Sequence, residues 1–209
     1  MAEFNSYLLG KVRKSVGNIT LCYTRGKNIV RAKVFSRKDN PTPEILAQRA
    51  KMKTLVQLSR QLLPVIRKGF GGIGKGSAGN AFTSLNMSRV SVDENNVATV
   101  DFERLLCASG MLYPPKVEVT YAEEGKLYSF VQEMQVEENG YAFSDDLVYV
   151  MLYETVLGRA RLVALRTRGE NSNTNYALPE EWSHENVKLY CFATLKNGKR
   201  ASDSRLVEC

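Results

Sequence analysis

The side chains with the clearest chemical use in this sequence are cations. Arg13, Lys14, Arg25, Lys27, Arg31, Lys33, Arg37 and Lys38 fall within 26 residues that contain no carboxylate. Cations gathered on a small β element can lie along a phosphate backbone or meet an acidic protein surface. The first 76 residues carry 16 Lys and Arg against Glu3, Asp39 and Glu44, and the other 133 carry 13 basic and 19 acidic residues, so the overall +7 divides into +13 and −6. Such segregation predicts an anionic partner: other protein subunits, the acidic part of a neighbouring copy packed head to tail, or nucleic acid. Only Tyr23 and Phe35 interleave with these cations, which suits plain phosphate contact better than base stacking.

The other constellations carry less. Gly74-Lys75-Gly76-Ser77-Ala78-Gly79 formally matches G-x-G-x-x-G. A dinucleotide fingerprint follows a strand and opens a helix, whereas this run follows a helical pattern, and Gly76 separates Lys75 from the Ser a Walker loop needs. A flexible linker is the expectation. His184, the only histidine, stands in Glu181-Trp182-Ser183-His184-Glu185, and sequence neighbours do not make a catalytic triad. Glu123-Glu124 and Asp145-Asp146 read as solvated turns rather than cation sites. Cys22, Cys107, Cys191 and Cys209 lack metal-ligand spacing and read as reduced, the first three buried and the last a terminal free thiol. No catalytic, cofactor or metal residue is expected, and the chain is read as a non-enzyme.

The cations must be positioned by residues 10–68. Apolar and polar residues alternate over 18–23 and 28–35, with Ile19, Leu21 and Tyr23, then Ile29, on one phase and Val30, Ala32 and Val34 on the other. The intervening Thr24-Arg25-Gly26-Lys27 is a turn, Gly26 suiting a positive φ. One face of this hairpin should hold the apolar set and the other project Arg31, Lys33 and the turn cations. Thr42, Pro43 and Glu44 then supply cap, first-turn proline and dipole-matched acid for one long amphipathic helix over about 44–68. Ile45, Met52, Leu55, Val56, Leu62, Leu63 and Ile66 make its apolar stripe, and Pro64 predicts a kink or restart near Leu63.

From Ala81 the pattern turns to β, with strands expected at 89–92, 98–102, 116–121, 126–136, 147–155, 159–167, 188–195 and 205–209. Asn197-Gly198 is the strongest hairpin signal, of type I′. Short strands at about ten-residue spacing without helices between them predict an antiparallel immunoglobulin-like β-sandwich. Trp182, the only tryptophan, is expected as a core or edge plug. The fold is therefore read as mainly β with one long helix: a basic hairpin-helix unit with its glycine-rich linker over 1–80, then the sandwich over 81–209.

At 44% apolar and 24% charged the composition is ordinary for a globular protein, and no apolar run is long enough for a membrane helix. The first residues lack a secretory-signal layout, so cytoplasm or a virion is the expected location. Gly10-Lys11-Val12, Gly17-Asn18, Tyr23, Arg25-Gly26-Lys27, Val30-Arg31, Asn40-Pro41, Gln48-Arg49-Ala50-Lys51 and residues 64–70 together resemble an uncharacterised domain-of-unknown-function family of bacteria and their phages, most clearly over 10–87. That resemblance implies an architecture and a phage or mobile-element context, and assigns no catalytic residue. The expected function is a structural or assembly protein of a phage virion, docking through the basic unit. Sequence-nonspecific nucleic-acid binding through the same surface is the alternative.

Overall fold

A computed structural model describes residues 2–36, 39–73, 76–137 and 140–209. The chain forms two compact units, Met1–Thr42 and Pro43–Cys209. The helical residues pack into the β part.

The first unit is a four-stranded antiparallel sheet, β1 (Ala2–Phe4), β2 (Lys14–Val16), β3 (Ile19–Thr24) and β4 (Lys27–Ala32), in the order β1-β4-β3-β2. β3 and β4 form the expected hairpin. Its two-residue turn has Arg25 at φ 54° and Gly26 at φ 82°, and two positive φ values define type I′. The turn fixes the register: Ile19 pairs with Ala32, Leu21 with Val30 and Tyr23 with Asn28. Val30 and Ala32 thus join the apolar phase of β3, while Ile29 lies opposite Cys22 and Glu3 on the polar face, correcting the expected phase.

In the second unit the long helix is two: α1 (Pro43–Gln61) and α2 (Leu63–Gly69). Pro64 cannot donate a helical hydrogen bond, so the chain restarts and places it in the first turn, where its missing N–H costs nothing. A third helix, α3 (Ala78–Asn86), replaces the expected linker end and the start of β texture. Ser77 caps it, its hydroxyl accepting from the Asn80 N–H at 3.2 Å. Gly69, Gly71 and Gly72 before it form a packed seam. A Cβ on Gly69 would stand 2.6 Å from the Cys107 carbonyl oxygen, and one on Gly72 only 1.7 Å from that of Lys199. Gly74 and Lys75 lie outside the described residues.

The remaining strands are β5 (Val90–Val92), β6 (Ala98–Val100), β7 (Val117–Ala122), β8 (Leu127–Gln132), β9 (Leu147–Glu154), β10 (Arg159–Thr167), β11 (Ser172–Ala177), β12 (Val187–Thr194) and β13 (Arg205–Val207). They form the antiparallel sheets β10-β9-β12-β13 and β11-β8-β7 and the ribbon β5-β6. The protein is mainly β. Val148, Val150 and Leu152 of β9 face one core, shared with Val119 and Phe130 of the three-stranded sheet and with Trp182. Tyr149, Met151 and Tyr153 face the other, beneath Leu55, Leu62, Ile66 and Phe82 of the helices. β9 is buried throughout from Val148 because both faces are covered, giving a continuous apolar run instead of alternation. Asn197-Gly198 is a turn, but among its residues only Gly198 has positive φ, so it is not type I′.

Candidate interaction surface

The first unit has an apolar and a polar face. Across the ladder, Phe4, Val16, Ile19, Leu21, Tyr23 and Val30 share one face, and Glu3, Thr20, Thr24, Lys27 and Arg31 the other. On the apolar face Phe4, Leu21, Tyr23 and Val30 are half-buried, and Val16 is 65% and Ile19 41% exposed. What holds the loop before β2 is Asn28, buried near the start of the central strand β4, where its amide donates to the Gly10 carbonyl at 2.9 Å and accepts from the Val12 N–H at 3.2 Å.

The cations divide between the faces. Lys27 and Arg31 lie on the polar side, where the Lys27 ammonium meets Glu3 at 2.9 Å; both partners are well exposed, so the pair contributes at most about 1 kcal/mol. Arg25 occupies the turn. Lys14 opens β2 at φ 84° opposite Leu21, on the apolar face, and the Lys11 ammonium lies 5.3 Å above the Tyr23 ring on that same face. Lys33 follows β4, with its ammonium 5.3 Å above the Phe35 ring. Arg13 directly precedes β2, and Arg37 and Lys38 lie outside the described residues. Lys27 and Arg31 thus lie opposite the apolar set, as expected of the hairpin, while Lys11 and Lys14 edge the apolar face itself. Lys11 and Asn28 went unnoticed in the sequence, because only the register brings them together.

The structural boundary sharpens the charge asymmetry. The first unit has nine cations against two carboxylates, and so the whole net +7; the second has twenty of each. Arg13, Lys14, Arg25 and Arg31 have no carboxylate partner among the described residues.

A family model described as a family of unknown function (DUF6266) matches residues 10–207. The chain belongs to that family. The match begins before β2 and ends with β13, so it takes in β2–β4 of the first unit and nearly all of the second. No curated protein and no solved structure matches the chain.

Of the residues weighed for catalysis, Glu123, Glu181, Ser183, His184 and Glu185 line one open cavity. The His184 ring lies against Tyr121, centroids 4.2 Å apart, in a one-turn segment between β11 and β12. Among the described residues no group of three or more His, Cys, Asp and Glu is placed to hold a metal. All four cysteines are free. Cys107 and Cys191 are buried, Cys22 is half-buried and Cys209 is exposed. Burial pushes both buried thiols up, that of Cys191 to about 11, so neither is a nucleophile at neutral pH. No helix among the described residues is long and apolar enough to cross a membrane.

Asp146, expected in a solvated turn, is instead fully buried. Its Oδ2 accepts from Arg168 Nε at 3.1 Å and from the Phe143 N–H at 3.0 Å, while Arg168 Nη2 donates to the Tyr113 carbonyl at 2.7 Å. Burial raises the Asp146 carboxyl, opposed by the Phe143 N–H and by Arg168, and burial lowers the guanidinium, opposed by Asp146. This pair ties the ends of β9 and β10 to the segment before β7. Its role is structural.

Proposed function

We propose that this chain is a non-enzymatic structural or assembly protein, a component of a phage virion, that docks on other subunits through its basic first unit. The observation that carries the reading is the 42-residue unit with the entire net charge and an apolar sheet face on which Val16 and Ile19 are exposed. A unit of 42 residues is close to the size below which a chain usually needs oligomerisation or another staple, and covering its apolar face supplies further burial. The second unit is the scaffold that decorates or bridges. Its four-stranded and three-stranded antiparallel sheets over a core that includes Trp182 support an immunoglobulin-like sandwich. The cytoplasm or a particle assembled there is the corresponding location.

The test is sedimentation and light scattering of the full chain, alone and with co-expressed subunits. Discrete oligomers or co-assembly support the reading. A strictly monomeric protein at high concentration that acquires no partner refutes it. Nucleic-acid binding is the second reading, favoured by Arg13, Lys14, Arg25 and Arg31 having no carboxylate partner among the described residues. It predicts a log affinity falling by about 0.9 per unit log salt for each phosphate neutralised on duplex DNA. A gel shift with no retention of duplex or single strand at about 50 mM salt removes it.

A further inference from the structure

Within the second unit, three connections meet at one end of the two sheets: the β7–β8 turn, residues 155–158 between β9 and β10, and residues 178–186 between β11 and β12. They are tied together. Lys126 Nζ donates to the Glu180 carbonyl at 3.1 Å, the Leu178 N–H donates to the Lys126 carbonyl at 2.8 Å, the Thr155 N–H donates to the Asn186 carbonyl at 3.0 Å, and Arg159 pairs with Glu181 at 2.5 Å. This end displays Glu123, Glu124, Glu180, Glu181 and Glu185, all exposed, against Lys126 and Arg159. Val156 and Leu157 stand out of the same end, 75% and 45% exposed. Between the carboxylates lies a cavity of about 490 Å³ with the tilted Tyr121–His184 ring pair in its wall and Glu123, Glu180, Glu181 and Glu185 around it against the cation Lys126. An anionic cavity with an aromatic wall is suited to a lysine or arginine side chain, whose stem packs on the rings while its head meets the carboxylates.

We infer that the occupant of the apolar face of the basic sheet, where Val16 and Ile19 are exposed, is a second copy of this chain, bound through this acidic, apolar-tipped end in a head-to-tail contact. The inference rests on the assembly reading above and names its partner. Two features of the sheet select that partner. Its charge makes a symmetric contact between two basic units repulsive, whereas the acidic end carries the opposite sign. Its exposed Val16 and Ile19 need apolar surface, which Val156 and Leu157 offer and a phosphate backbone does not. A contact between different patches of identical chains does not close on itself in pairs, so it extends to rings or open filaments.

The test is exchange of charge in trans. One full-length variant carries Lys11→Glu and Lys14→Glu; the other carries Glu180→Lys and Glu185→Lys. All four side chains are exposed, and circular dichroism checks that each variant is folded. Sedimentation velocity of the wild type should give a concentration-dependent ladder of masses. Each variant alone should weaken assembly by at least about tenfold in dissociation constant, about 1.4 kcal/mol. Mixing the two variants should restore assembly, because each reversed patch then faces its complement, a result that unfolding of either variant cannot produce. Lys14→Gly, which suits the positive φ there, provides a gentler loss of one cation and should weaken assembly less. Wild-type assembly untouched by the Glu180 and Glu185 changes, or no recovery on mixing, overturns this contact while leaving assembly through another partner intact. A wild type that is monomeric alone yet co-assembles with other subunits overturns it too; one that neither self-assembles nor acquires a partner overturns the assembly reading with it.

Discussion

Arg168→Met and Asp146→Asn each break the buried pair, but they should do so with different responses to pH. Both side chains are almost wholly inside, so removing one partner strands the other in low dielectric at a cost of about 3–5 kcal/mol. At this chain length that lowers the melting temperature by about 10 °C. In Arg168→Met the stranded group is a carboxyl that burial already raises, and the guanidinium that opposed the rise is gone. A carboxyl whose folded-state pKa lies above its unfolded value contributes its full stability below about pH 4 and loses it as pH climbs through the folded value, at up to about 1.4 kcal/mol per pH unit. Arg168→Met should therefore weaken steeply from acid to neutral pH. The wild type should show a shallower form of this trend, because Arg168 opposes the shift. Asp146→Asn should lack this site's contribution, since the guanidinium it strands does not titrate there. Replacing both, with Asp146→Leu and Arg168→Met, should recover much of the loss, less the hydrogen bonds to Tyr113 and Phe143 that no apolar side chain makes. Urea titrations followed by far-ultraviolet circular dichroism at several pH values read all four proteins. Either single change costing under about 1 kcal/mol, or matching pH slopes for the two, would refute the reasoning.

Gly72→Ala should cost several kcal/mol or prevent folding, because its Cβ would sit 1.7 Å from the Lys199 carbonyl oxygen, whereas Gly79→Ala, open on all sides near the start of α3, should add about 0.4–1 kcal/mol; thermal melts compare them. Ellman's reagent on the native protein should modify Cys209 quickly, with Cys22 next, and spare Cys107 and Cys191 until denaturant is added; rapid modification of all four would contradict their burial. Asn28→Ala removes both bonds that pin the segment before β2, and limited proteolysis should then cut within residues 5–12 well before the wild type is cut there.

Period-two alternation made the β3–β4 hairpin readable from sequence, short turn-bounded β-rich runs did so for eight of the later strands, and Pro64 marked the break between α1 and α2. β11 was hidden because Ser172-Asn173-Thr174-Asn175-Tyr176-Ala177 is polar on nearly every position; its place comes from pairing with β8, not from propensity. α3 was hidden by the glycines before it, which look like a linker until their close approach to 107–110 and 198–201 is known. Ser77 followed by apolar Ala81, Phe82 and Leu85 was the signal available. On the candidate surface, the charge segregation was legible by counting. The division of Lys14 from Arg31 between faces was not, because phase on each arm depends on a one-residue difference in register.

β9 supplies alternate side chains to the helical layer and to the three-stranded sheet, so its backbone is common property of both. Neither layer can melt while the other keeps its filling. Residues 43–209 therefore lose structure in one cooperative transition, and the amides of β9 and its neighbour β12 exchange with solvent only through global opening, later than any others in the unit.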